Sequence, residues 1–420
     1  MRIESEIWKV SDQVRSRREI RSAERALLRR KWMFRGLVIF LIVFIAGSGI
    51  GLILHKPGQE SSSATPTATP IATPADSPAV VGSSTQPSPL PSTEPTPSSI
   101  SEAADDPNLI HLTFVGDILL ASGVETLMKK NGYNYPYTDV KDFLQRPDLT
   151  IADLETPITD RGELIKKEYN YRSSPLALPA LKEAGIDLVN LANNHVMDYG
   201  TEGLLDTFDH LDHTGILRVG AGHDAAEAFE PVIVVKNGMK IAFLGFSHVV
   251  PDVSWKAGVK HPGVADTYDY KGPVLAIEKA RAKADLVVVI THWGVERTDT
   301  PVTYQTDLAH RFIDAGADLV IGSHPHVLQS IEAYKGKWIA YSLGNFIFTT
   351  NSVKETLETF VLNASCTKDR QCSLGVIPIL TKYAKPERMS AEQGQALYDR
   401  ISAVSFHAQI QPDGQIIERP

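Results

Sequence analysis

The chain has 420 residues, 43% of them hydrophobic and 22% charged, with a formal net charge of −8. These are the proportions of a globular protein with a real core, and they exclude a chain that is disordered throughout. The two cysteines, Cys366 and Cys372, lie close together and far from any histidine pair, which excludes a zinc-ribbon or thioredoxin pattern. In an oxidising compartment they could close a short loop; otherwise they are two free thiols.

The net charge averages over three unlike regions. Residues 1–35 carry a run of basic side chains, among them Arg15, Arg17, Arg18, Arg21, Arg25, Arg29, Arg30, Lys31 and Arg35. Residues 36–54 follow with no charge at all. At a helical rise of about 1.5 Å per residue this stretch spans roughly 28 Å, close to the hydrocarbon thickness of a bilayer. The basic flank places the N-terminal side in the cytoplasm. A cleaved signal peptide has a shorter apolar stretch and a small-residue cleavage site, whereas His55-Lys56-Pro57 follows here. An uncleaved single-pass anchor in the cell membrane is therefore expected. The basic segment is read as a contact for anionic lipid, not for nucleic acid. Residues 55–107 are rich in Ser, Thr, Pro and Ala and bury too little surface to offset chain entropy. They are expected to be a disordered spacer that holds an extracytoplasmic domain away from the membrane.

Residues 108–420 alternate apolar runs with amphipathic ones. Strands are expected over 110–115, 148–154, 186–191, 284–290 and 317–321. A helix over 176–184 should stop at Gly185. The dipeptide Asn237-Gly238 suits a type I′ turn between strands 232–236 and 239–246. A second hairpin should join 328–334 to 338–341 through Lys335-Gly336-Lys337. Toward the end, 358–362 and 373–380 read as paired strands with the cysteines between them, and 389–402 as a closing helix. The expected class is α/β, with a mixed sheet system and helices packed outside it.

In α/β proteins ligands bind outside the carboxyl ends of the strands. Each apolar run here delivers polar groups to such an end. The first brings Gly116-Asp117, the second Asp153-Leu154-Glu155, and the third Asn193-Asn194-His195 with Asp198 beyond. The fourth brings His292-Trp293-Gly294 and the fifth Gly322-Ser323-His324-Pro325-His326. One Asp at one strand end is commonly a helix cap. Five ends with Asp, Glu, Asn or His suit a first-row divalent metal such as Mn, Fe or Zn. His324 and His326 would share a side on an extended segment and could diverge in a turn.

This ordered set, with Ser342-Leu343-Gly344-Asn345-Phe346, Tyr171-Arg172 and Val219-Gly220-Ala221-Gly222 in support, resembles the CapA family of capsule synthesis proteins over residues 110–350. That family is similar in turn to the calcineurin-like metallophosphoesterases. The resemblance implies a four-layer α/β/β/α sandwich of metallophosphoesterase type and a site for one or two metal ions. Carried over residue by residue, it implies Asp117 and His326 on one metal and Asn194, His292 and His324 on a second. Glu155 would bridge them. His195 would face the scissile phosphate or leaving oxygen as a catalytic group. Asp198 would either orient His195 or cap the next helix. Arg172 and Asn345 are expected as substrate contacts, with a surface salt bridge as the other reading of Arg172. Trp293 and Phe346 are expected to pack around the site.

The resemblance also implies an anionic capsule polymer such as poly-γ-glutamate as partner, beside a membrane-embedded synthase. One departure bears on activity. Metallophosphoesterases open with Asp-x-His, but Asp117 is followed by Ile118 and Leu119. His111, His248 or His261 could supply the missing ligand, His248 from the better position. A metal-dependent hydrolase and a non-catalytic polymer-binding or export factor on a degenerate fold both remain open.

Overall fold

The computed structural model describes residues 109–349 and 352–420, all within one compact unit. The basic segment, the apolar stretch and the Pro-rich spacer lie outside the described residues. Among the described residues, no helix is long and apolar enough to cross a membrane.

In chain order the first strands are β1 (Leu109–Ile118), β2 (Leu149–Leu154), β3 (Leu188–Asn190), β4 (Leu217–Val219) and β5 (Ala221–Gly222). Next come β6 (Val232–Lys236), β7 (Met239–Ser247), β8 (Gly263–Val264), β9 (Leu286–His292) and β10 (Leu319–Ser323). Then follow β11 (Ile331–Tyr334), β12 (Lys337–Ala340), β13 (Asn345–Ile347) and β14 (Glu358–Thr367). The last are β15 (Cys372–Lys382), β16 (Lys385–Arg388), β17 (Ala408–Ile410) and β18 (Gln415–Glu418).

Two large sheets result. The first runs β17-β18-β15-β14-β1-β2-β3-β4, with β13 added to β1 and β16 to β15. Its β1–β4 portion is parallel, and β14 joins β1 antiparallel. The second sheet runs β11-β12-β10-β9-β7-β6, parallel through β12, β10, β9 and β7.

The period-two side-chain alternation of strands decides the layering. On β7, Ile241 and Phe243 join Ile110, Leu112, Phe114, Ile151, Val288 and Ile321 in a core between the sheets. The intervening Ala242, Leu244 and Phe246 face outward, against Ile277 and Ala280 of helix Lys271–Arg281 and Phe312 of helix Thr303–Asp314. On the far side of the first sheet, Ala152 and Val189 pack with Leu204, Phe208 and Leu211 of helix Gly200–Thr214. The layers are therefore helices, sheet, sheet, helices. Helix Ala391–Val404, capped by Ser390 and Gln393, closes the sheet–sheet core with Leu397, Tyr398 and Ile401.

Local signals in the sequence match local geometry. Asn237 and Gly238 both have positive φ, 50° and 69°, as a type I′ turn requires. The second hairpin turns on Lys335 and Gly336 alone, at φ 52° and 71°, and Lys337 already belongs to β12. The expected helix over 176–184 is a 3-10 turn, Pro175–Ala177, followed by helix Leu178–Glu183. Cys366 and Cys372 sit opposite each other on β14 and β15 and are joined in a disulfide.

Candidate metal centre

Register aligns the polar strand ends. Asn345, Asp117, Asp153 and Asn190 form one row across β13, β1, β2 and β3. Ser247, His292 and Ser323 form a row across β7, β9 and β10 of the second sheet. Gly116 lets the first row reach its place. A Cβ there would lie 1.9 Å from the Gly344 carbonyl oxygen, and the neighbouring Asp117 amide donates to that same oxygen at 2.9 Å.

After β10 the chain turns sharply, with His324 at φ 95° and His326 at φ 58°, conformations that non-glycine residues rarely adopt. The turn sends the two rings to different neighbours. His324 converges with Glu155 and His292, and His326 with Asp117 and Glu155; in each set the possible ligand atoms lie within 4.8 Å of one another. Glu155 belongs to both sets. A third set joins Asp117, Asp153 and His292. Asn194 Oδ1 lies 2.7 Å from His292 Nε2.

The donor chemistry of this cluster fits a cation. Glu155 is fully buried and neither of its oxygens has a hydrogen-bond partner; His324 Nδ1 is buried and unpartnered as well. Native proteins rarely leave such groups unserved. His292 Nδ1 donates to Asp153 Oδ2 at 2.8 Å, so its Nε2 turns a lone pair toward Asn194 Oδ1 and toward Glu155 Oε1, 3.3 Å away. Lone pairs so placed repel unless a positive charge lies among them. Burial pushes the Glu155 carboxyl well above its ordinary range, and the charges of Asp117 and Asp153 push it further. Burial likewise raises Asp153 to about 8 and lowers His292 to about 3. Burial, with the neighbouring histidines, takes His324 well below its usual value. Each shift records a site that lacks solvent to carry its charges, and a bound divalent ion would reverse the carboxyl shifts.

His195 lies beside this cluster. Its Nδ1 stands 2.9 Å from Asp198 Oδ2 and 3.1 Å from Lys167 Nζ; with its hydrogen on Nδ1 it donates to the Asp198 carboxylate, the shorter contact, and leaves Nε2 for other contacts. Asp198 also accepts from the Tyr171 amide at 2.7 Å and pairs with Lys167 Nζ at 2.5 Å. The Asp198 side chain therefore orients His195; it gives no side-chain cap to helix Gly200–Thr214. Burial lowers the His195 pKa, opposed by the bond to Asp198 and reinforced by the Lys167 charge. Lys167 also donates to the Asn194 carbonyl and lies 5.1 Å from the Trp255 ring. The Tyr171 ring stands 4.7 Å from that of His195.

The other expected residues take several different places. Arg172 is exposed and stacks over the Tyr199 ring at 4.4 Å, the neighbour of Asp198 in sequence. Asn345 is buried with both ends of its amide engaged: Oδ1 at 3.0 Å from His326 Nδ1, and Nδ2 donating to the Thr356 carbonyl. It braces His326. Trp293 and Phe346 are fully buried, and Trp293 donates to the Tyr341 carbonyl. None of the candidate replacement histidines falls in the ligand sets found among the described residues. His248 bonds Thr267 and stacks on Tyr304, His111 bonds Ser365, and His261 sits in an exposed turn.

Two participants had been given no role of their own from the sequence. Asp153 stands on β2 two residues before Glu155, which follows the strand's last residue, so period two puts both on one face, and that signal was available. Lys167 lies in an irregular segment whose path no local pattern fixes.

Comparison with known proteins agrees with this arrangement in extent. The chain is 36% identical over 247 residues to the PGA biosynthesis protein CapA of Bacillus subtilis (strain 168), covering 57% of this chain and 64% of that protein, slightly under two thirds of its length. It is 33% identical over 292 residues to the capsule biosynthesis protein CapA of Bacillus anthracis, covering 67% of this chain and 69% of that protein. Among solved structures it is similar to a hypothetical protein from Thermus thermophilus, with a TM-score of 0.41 and 18% identity over 64% of this chain and 99% of that one. Residues 111–350, which hold every polar strand end described above, match the family model for the bacterial capsule synthesis protein PGA_cap, and the chain belongs to that family.

Proposed function

We propose that this chain is a membrane-anchored, extracytoplasmic protein of poly-γ-glutamate capsule biosynthesis, and that its strand-end cluster is a metal-dependent hydrolase site of metallophosphoesterase type. The observation that carries the site reading is Glu155, buried with both oxygens unpartnered between two histidine-containing ligand sets. Asp117 and His326 would hold one Mn, Fe or Zn ion, and Asn194, His292 and His324 a second, with Glu155 shared. When bound, such ions supply Lewis acidity and stabilise charge on attacking and leaving oxygens.

The chain's own groups have separable tasks. Asp198 takes the Nδ1 hydrogen of His195 and so presents the bare Nε2, which can accept a proton from, or return one to, a substrate oxygen. Lys167 compensates the buried Asp198 charge. Asn345, 3.0 Å from His326 Nδ1, helps place that ring with Nδ1 facing Asp117. The anchor reading rests on residues 36–54 and their basic flank. The anionic polymer and a membrane-embedded synthase as partners rest on what the Bacillus relatives are named for.

One observation favours a non-catalytic, polymer-binding or export role instead. Ile118 and Leu119 are buried where the phosphoesterase pattern would place a histidine, and no other histidine fills that place among the described residues. The Asp117 side of the site is thus short of one ligand.

The test is elemental analysis of the purified full-length chain beside its His292→Ala variant. Stoichiometric Mn, Fe or Zn in the parent and its loss in the variant is the expected result, followed by turnover in a phosphodiester and polyglutamate screen. A folded parent that takes up no metal, even from excess Mn or Zn, sinks the hydrolase reading and leaves the binding role.

A further inference from the structure

Between the two sheets, behind the candidate metal centre, a chain of three buried side chains links β3, β2 and β9. Asn190 Nδ2 donates to Asp153 Oδ1 at 2.6 Å, and Asp153 Oδ2 accepts from His292 Nδ1 at 2.8 Å. Asn190 and His292 are fully buried, and Asp153 is nearly so. Register sets Asn190 directly beside Asp153 in the parallel pair, so both side chains leave the sheet on one face. The Asn190 amide is itself locked, because its Oδ1 accepts from the Ala192 amide at 3.1 Å and its Nδ2 also reaches the Ala192 carbonyl at 3.3 Å. The fold leaves room for that lock. A Cβ at Gly245 or Gly220 would lie 2.3 Å or 2.6 Å from Asn190 Oδ1, so the seam between the sheets accommodates this side chain only where both neighbours have none.

We propose that Asn190 is a positioning residue of the metal centre, acting through Asp153 to hold the His292 ring so that Nε2 faces Asn194 and Glu155. The inference rests on the metal-centre reading above and assigns Asp153 to holding His292, not to the ion. Two features separate these roles. The Nδ1 hydrogen of His292 already occupies Asp153 Oδ2, and the Asn190 amide occupies Oδ1. A ring nitrogen turned to a carboxylate on one side and to the metal on the other is the arrangement by which outer residues set ligand orientation and basicity. Asn190 never touches an ion or substrate in this scheme. Its effect is on affinity.

The experiment uses the full-length chain, stripped of metal and titrated with Mn²⁺ or Zn²⁺ against a competing chelator. The parent is compared with Asn190→Leu, Asn190→Asp and the swap Asn190→Asp/Asp153→Asn, and unfolding midpoints of the metal-free forms are recorded alongside. Asn190→Leu removes the donor, and Asn190→Asp sets two carboxylates against each other. Each is expected to weaken metal binding by ~10–100-fold. The swap keeps the net charge and reverses the bond between the two positions. The amide at 153 then donates to the new carboxylate while its oxygen still accepts from His292, and most of the lost affinity should return. A merely structural role would move the midpoint and leave metal affinity unchanged. Parent-like affinity in both single variants, or a swap no tighter than Asn190→Asp, overturns the inference while the metal centre stands. A parent that binds neither ion overturns both.

Discussion

The molecule buries carboxylates at both ends of its strands, and the two ends treat them differently. At the amino end of β10, Asp318 is fully buried yet fully served. Arg281 lies at 2.8 Å, Lys337 at 2.9 Å and Arg370 at 2.8 Å, and the Val287 amide donates to it at 2.9 Å. At the carboxyl ends, Glu155 is just as buried and has no hydrogen-bond partner, with Asp117 and Asp153 close enough to raise its pKa further. A buried carboxylate needs either protein cations or an ion from outside. The first end therefore has a structural charge and the second a ligand field, and their variants should behave in opposite ways.

The largest stability effect is expected at the saturated end. Asp318→Asn keeps the shape but leaves three cations around a neutral amide. Removing one partner of a buried pair costs about 3–5 kcal/mol. Because Arg370 is 37% exposed and partly solvated, the lower figure, about 3 kcal/mol, applies here. Urea midpoints read this directly, and the metal content of the variant should match the parent. If Asp318→Asn unfolds at the parental midpoint, this cluster is not what holds that end together. If it loses metal without losing stability, the contrast between the two ends is wrong.

A smaller effect is expected from the disulfide that carries Arg370 to Asp318. Cys366 and Cys372 are six residues apart, and Arg370 lies in the turn between them, its guanidinium also reaching the Gly316 carbonyl. Closing so short a loop removes little unfolded-state entropy, about 2 kcal/mol by the chain-entropy estimate. The double variant Cys366→Ser/Cys372→Ser should lower stability by about that amount. Combined with Asp318→Asn it should cost less than the sum, because the two changes share Arg370. Strict additivity in a double-mutant cycle would mean that the hairpin turn and the Asp318 cluster act independently.

The two ends also differed in how legible they were. The ligand end could be read because each apolar run stops at a short polar motif, and strand order then gathers those stops. Period two could even have picked out Asp153 beside Glu155. The rest depended on long-range packing. Nothing local says that Asn345 lies beside Asp117, because β13 is a three-residue strand added to β1 after the chain has crossed the second sheet. Lys167 reaches Asp198 only because residues 159–173 fold back on themselves, the Thr159 amide donating to Ser173 and the Ile165 amide to the Asp198 carbonyl. The divergence of His324 and His326 is a backbone property that their spacing leaves undetermined. At the other end, Asp318 reads as an ordinary residue near the start of the expected strand 317–321. Its three cations come from a helix, a hairpin strand and a turn far apart in sequence.

The finest test of the contrast is the pH dependence of stability with and without metal. In the metal-free chain Asp153 is raised from 3.8 to about 8 by burial, and Glu155 is raised well above 4.5 by burial and by its acidic neighbours. The folded form then holds protons that the unfolded form has released, so stability falls as pH rises through this window. His326 adds the same sign. Burial lowers it, but Asp117, the Glu296 charge and the bond to Asn345 together outweigh burial and raise it above 6.5, a contribution lost on going more alkaline. His292 and His324 are lowered by burial, so their cost appears only below about pH 6.5 and they are silent above it. Between pH 6.5 and 8 the chelated protein should therefore lose up to about 1.4 kcal/mol per pH unit for each carboxyl that titrates. Saturating Mn²⁺ holds the same carboxylates ionised and should flatten or invert that slope. Glu155→Gln should make the chelated slope shallower while abolishing the response to metal. Asp318 already sits among its cations, so Asp318→Asn should lower stability alike with and without metal. A chelated parent that grows more stable from pH 6.5 to 8 would mean that these carboxylates are already compensated within the protein, and that the carboxyl ends of the strands need no ion.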